Sequence, residues 1–129
     1  MNKILQTTLI AVIFLSGCAA INTFDSEEYT RANNITTLAE LAKDNCRNIE
    51  ALKPQIASLY VATVDFKNYV RYIPDNTFLQ EPAEKMLAMV TELRNKDSVM
   101  SPAYCEIKLT IIRDTSAGLQ KVAGSKGKQ

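Results

Sequence analysis

Residues 54–73, PQIASLYVATVDFKNYVRYI, decide whether the chain is helical throughout or mixed. Read at a period of 3.6, Ile56, Leu59, Thr63, Phe66, Val70 and Ile73 form one stripe, the mark of an amphipathic helix. Read at a period of two, Tyr60, Ala62, Val64, Phe66, Val70 and Tyr72 alternate instead, in a stretch rich in β-branched and aromatic residues. A strand here would run to about fifteen residues, well beyond the usual length of roughly three to ten. Helix is therefore the reading adopted, with strand as the alternative. Pro54 suits the first turn of such a helix, where its missing N–H goes unmissed, and Pro74-Asp75-Asn76 stops it.

Helical spacing extends to both sides of this segment. Thr37-Leu38-Ala39-Glu40 has the form of a capping box, followed by Leu38, Leu41, Ala42, Asn45, Cys46, Ile49 and Leu52 on one stripe. That helix is expected to end near Leu52, because Pro54 disfavours helical geometry at Lys53. Glu81-Pro82 opens a third helix through Met86, Leu87, Val90 and Leu93, closed by the polar stretch from Arg94 to Ser98, with Met86 and Met89 read as core filling. Ser101-Pro102 pairs an N-cap with a first-turn Pro, and Cys105, Leu109, Ile112, Ser116 and Leu119 follow on one face. The expected fold is all-α, a small four-helix bundle over residues 35–122. Residues 18–34 read as a tether with room for one turn of helix from Ser26, and residues 123–129 as a flexible basic tail.

Composition removes several function classes. Fifteen Lys and Arg against fourteen Asp and Glu leave no broad basic surface for nucleic acid. The absence of His rules out a Ser-His-Asp or Cys-His pair and any zinc site that needs imidazole. The close carboxylate pairs, Glu27-Glu28 and Glu81/Glu84, read as solvated helix starts favoured by the macrodipole rather than as a catalytic pair. Phosphate-loop, dinucleotide and EF-hand patterns do not occur. The expectation is a protein that is not an enzyme, with no cofactor, no metal and no small-molecule substrate.

The first residues form an address. Met1-Asn2-Lys3 supplies a positive start, the largely apolar run from Ile4 to Leu15 follows, and small residues close it. Leu15-Ser16-Gly17-Cys18 at the end of that run resembles the lipobox of bacterial lipoproteins. The resemblance implies a signal peptide over residues 1–17, removal of that segment, and acylation of Cys18 as the new N-terminus. Each buried methylene of such an anchor contributes about 0.8 kcal/mol, so several chains hold a small domain at the membrane. Ala19 after the Cys resembles the pattern of lipoproteins sorted to the outer membrane, facing the periplasm, with anchoring at the inner membrane as the alternative. Removal of the segment takes away one cation, Lys3, and leaves the mature chain neutral. The two remaining cysteines, Cys46 and Cys105, make an even pair in an exported chain and are expected to form a disulfide. Neither belongs to a C-x-x-C motif, which argues against a redox pair.

Aromatic residues crowd the second predicted helix and the loop after it, at Tyr60, Phe66, Tyr69, Tyr72 and Phe78. Phe66 lies on the core stripe, whereas Tyr69 and Tyr72 lie off it or at its edge. With Arg71 they are the candidate partner-binding residues, since Tyr and Arg are enriched at binding hot spots. The competing reading has these rings filling the core with their hydroxyls at its rim. The tail cations Lys121, Lys126 and Lys128 read as solubilising, with anionic headgroups or peptidoglycan as the alternative contact.

Taken together, Leu38-Ala39-x-Leu41-Ala42-x-x-x-Cys46-Arg47, the later Ser101-Pro102-x-x-Cys105 and the helix order make residues 36–119 similar in architecture to the helical pilotins of type II secretion. The resemblance implies a lipoprotein that clasps a short amphipathic segment of a secretin between its helices. Two functional expectations result. One is an envelope lipoprotein that binds a protein partner in an escort or assembly role. The alternative is a lipoprotein encoded by a phage or mobile element, acting in superinfection exclusion, toxin immunity or lysis.

Overall fold

A computed structural model describes residues 25–73, 77–96 and 99–126. Four helices succeed one another: α1 (Ser26–Lys43), α2 (Ile49–Arg71), α3 (Thr77–Asn95) and α4 (Pro102–Ser125). The all-α expectation holds, and the stretch that also fitted a strand is the body of α2. Its stripe of Ile56, Leu59, Thr63, Phe66 and Val70 is buried, and the Thr63 hydroxyl donates back to the Leu59 carbonyl at 3.0 Å. A polar group on the core stripe is thus satisfied inside its own helix.

Each boundary has a local cause, and several differ from the sequence expectation. α1 begins at Ser26, not near Thr37, because the Asp25 carboxylate accepts from the backbone N–H of Glu27 at 3.0 Å and of Glu28 at 3.2 Å. The Thr37-x-x-Glu40 pattern therefore falls inside a helix, where it caps nothing. Residues 26–34, expected as tether, carry Glu28 and Ala32 into the core. α1 ends at Lys43 rather than Leu52, and Asn48 starts α2 by accepting from the Ala51 N–H at 3.2 Å. Pro54 consequently sits in the second turn of α2, and Pro82 likewise lies inside α3, which opens at Thr77 rather than Glu81. In each case the ring removes one donor near a helix start, and burial of the flanking stripe carries the helix through. The α4 boundary is as expected, with Ser101 accepting from the Tyr104 N–H at 3.2 Å and Pro102 in the first turn.

The helices run up, down, up and down. α1 packs most extensively on α4 and also on α2, α2 packs on α3, and α3 meets α4 least. Ala32, Ala39 and Ala42 on the α1 stripe allow close approach to the neighbouring helices. Across the α1/α4 seam, Gln120 donates to Asn33 and Arg113 to Glu40, both at 3.1 Å. Leu41, expected on the core stripe, is 52 % exposed, because the buried face of α1 runs through Ala32, Ile35, Ala39 and Ala42 and leaves Leu41 at its edge. The Cys46–Cys105 disulfide is present, with Cα atoms 5.7 Å apart. It ties the turn between α1 and α2 to the first turn of α4.

Two more expectations are corrected at the opposite pole, where α1 and α3 start and α2 and α4 end. Residues 123–125, expected in a flexible tail, are the last turn of α4, with Ala123 fully buried. Glu28, expected to be solvated, is fully buried and receives the Lys126 ammonium at 2.7 Å. The signal peptide, the lipobox with Cys18, and the terminal residues 127–129 lie outside the described residues. Among those described, no helix is long and apolar enough to cross a membrane.

Candidate functional site

The early start of α2 creates the site. Ile49, Leu52 and Ile56 recur along one edge of its first turns, and the long helix brings them beside the last turn of α3. Together with Ala57, Leu93 and Met100 they line a groove of about 260 Å3, bordered by the cations Lys53 and Arg94. A cavity of about 150 Å3 accommodates one benzene, and pockets that enclose a whole small molecule start at roughly 300 Å3. The groove is thus sized for one or two bulky apolar side chains.

Three sets of contacts hold its walls. Arg94 extends over the Tyr60 ring, its guanidinium carbon 4.5 Å from the centroid, which fixes the cation above the α2/α3 seam. Met100 follows the turn in which the Val99 N–H donates to the Lys96 carbonyl at 3.1 Å, precedes the Ser101 cap, and packs half-buried against the core. Between α3 and α4, where packing is thinnest, Glu92 accepts from the Tyr104 hydroxyl, from Lys96 at 3.3 Å and from Lys108 at 3.1 Å. Those donors, the Tyr104 hydroxyl first, depress the Glu92 pKa to about 2.

The residues singled out from sequence lie toward the other pole. Tyr69 is half-buried and donates its hydroxyl to Asp25 at 2.6 Å, while the Arg31 guanidinium stands 4.7 Å over its ring and pairs with Asp65. Burial pushes the Asp25 carboxyl up. The Tyr69 hydroxyl, the two capping N–H groups and the Lys126 charge outweigh that and leave its pKa below the usual range. Burial first, then the bond to Asp25, raises the Tyr69 pKa. Tyr69 therefore ties the end of α2 to the start of α1. Arg71 borders a polar depression with Lys67, Gln80 and Glu84, and Tyr72 is 78 % exposed, its ring 5.9 Å from the Arg71 guanidinium. Arg71 and Tyr72 stay together, but none of the three lines the apolar groove.

Lys53 and Arg94 escaped the sequence reading because each had a ready local explanation. Lys53 was the residue before a proline, and Arg94 a cation at a helix end. The usable signal was Asn48, a good N-cap followed by Ile49, Leu52 and Ile56, which moves Lys53 from a helix end onto a helix edge. Among the described residues, no group of three or more His, Cys, Asp or Glu side chains is placed to hold a metal ion. Comparison of the chain with protein-family models, curated proteins and solved structures finds no match.

Proposed function

We propose that this chain is a non-enzymatic envelope lipoprotein, anchored through acylated Cys18 at the outer membrane and facing the periplasm. In this reading it binds a protein partner in an escort or assembly role of the pilotin kind. The observation that carries the reading is the solvent-open apolar groove between α2 and α3, which has room for a partner's side chains. Its position adds support. α1 spans about 27 Å from Asp25, and the groove lies at the pole opposite that residue.

A photo-crosslinking residue at Ala57, on the groove edge, tests this in host cells, with the same residue at the exposed Ile107 on α4 as control. The expected result is an adduct at Ala57, absent at Ile107, with one envelope-machine subunit identified by mass spectrometry. No adduct at Ala57 would refute groove binding. An adduct with a toxin, a phage receptor or a lysis protein would replace the assembly role with defence or lysis. Labelled palmitate should enter the wild-type chain and not Cys18→Ser.

A further inference from the structure

We infer that the groove is selective for an acidic partner segment, in which one or two bulky apolar side chains are flanked by carboxylates. This rests on the partner-binding reading above and names the chemistry of the occupant. The groove floor is uncharged, and both ionisable side chains on its border, Lys53 and Arg94, are cations. Lys53 is 47 % exposed and meets Glu50 only at 3.8 Å, so its ammonium stays open to a second anion. Arg94 is exposed and anchored by Tyr60, which holds the guanidinium face at the groove edge with its N–H groups available. The start of α2 adds the positive end of a helix macrodipole to the same border, since Ile49 is its first residue.

Size and charge select among anionic occupants. A lipid would need room for an acyl chain. At about 260 Å3 the groove takes one or two bulky side chains, so most of an acyl chain's methylenes would stay in water. A second copy of this chain brings no net negative charge to the border, because the mature sequence balances its charges. An acidic segment supplies what the border lacks. Each rim ion pair adds modest affinity but strong discrimination, since a basic segment meets two like charges on entry.

The test uses the mature chain in zwitterionic phosphatidylcholine nanodiscs and three fluorescent peptides. One carries Leu-Phe flanked by glutamates, one the same pair flanked by lysines, and one Ser-Ser flanked by glutamates. The expected result is that the first binds at least about tenfold more tightly than either of the others. Ala57→Phe, which fills the groove, should abolish that binding. Lys53→Glu/Arg94→Glu should invert the preference toward the lysine-flanked peptide, and Lys53→Gln/Arg94→Gln should erase it. Both pairs change only exposed side chains and should leave the helical circular dichroism intact.

Equal binding of the acidic and basic apolar peptides, or a preference untouched by charge reversal, would overturn the acid selectivity and leave groove binding standing. Absence of binding by all three, or binding that survives Ala57→Phe, would overturn both. A dimer dissolved by Ala57→Phe would give the groove to a second copy. Loss through the same substitution of binding to phosphatidylglycerol vesicles would give it to lipid. Either result overturns the inference.

Discussion

Lys126→Met should destabilise the bundle far more than a substitution just past the last helical turn ordinarily would. Glu28 has no exposed surface, its Oε2 accepts from the Lys126 ammonium at 2.7 Å, and its Oε1 has no hydrogen-bond partner. Methionine keeps an apolar stem near Phe78, whose ring centre lies 5.7 Å from the lysine nitrogen, but leaves a buried carboxylate facing no cation. Breaking a buried pair from one side costs about 3–5 kcal/mol. The Lys126 side chain is 22 % exposed and admits some water, so the low end, about 3 kcal/mol, is expected. For a domain of this size that lowers Tm by about 12 °C. Urea denaturation followed by circular dichroism measures the loss. Glu28→Gln in the Lys126→Met background should recover most of it, because the uncompensated charge goes away. A loss below about 1 kcal/mol for Lys126→Met, the value of a surface pair, would refute the reasoning. So would failure of Glu28→Gln to rescue.

Three further outcomes are expected from the same structure. Cys46→Ala/Cys105→Ala opens a loop with a sequence separation of 59 and should lower stability by about 4 kcal/mol in the chain-entropy account, read as a shifted urea midpoint. Neither of these cysteines should react with a thiol reagent before reduction. Glu92 has a pKa depressed to about 2, so its stabilising contribution is present above the ordinary glutamate range and is lost as pH falls through about 2. Glu92→Gln should flatten that acid limb of the stability–pH curve, and an unchanged limb would contradict the α3/α4 clasp. Tyr69→Phe removes the hydroxyl from Asp25 and should cost about 1–2 kcal/mol, with hydrogen exchange rising first in the opening turn of α1.

Most of the fold was legible because it arises from local periodicity. The stripe of Ile56, Leu59, Phe66 and Val70 names a buried face whatever packs on it, and strand length argued against the alternative. Ser101-Pro102 marked a boundary through cap chemistry alone, and an even pair of cysteines in a chain read as exported pointed to their own pairing. The start of α1 differs from the reading because Thr37-Leu38-Ala39-Glu40 has the form of a capping box. Thr37 and Asp25 both suit an N-cap, and the choice between them depends on whether residues 26–34 have something to pack against. α4 supplies it, burying Ala32 and placing Lys126 on Glu28.

The sequence by itself determined the helical class, the core faces of α2 and α4 and the cysteine pair, because periodicity, capping and spacing act over a few residues. Only the tertiary structure decided that Glu28, Ala32 and Ala123 belong to the core, since a charge is buried only when a partner distant in sequence meets it. It likewise decided where the groove lies. A helix edge shows as apolar in one dimension, but whether another helix covers it depends on how the four cylinders meet.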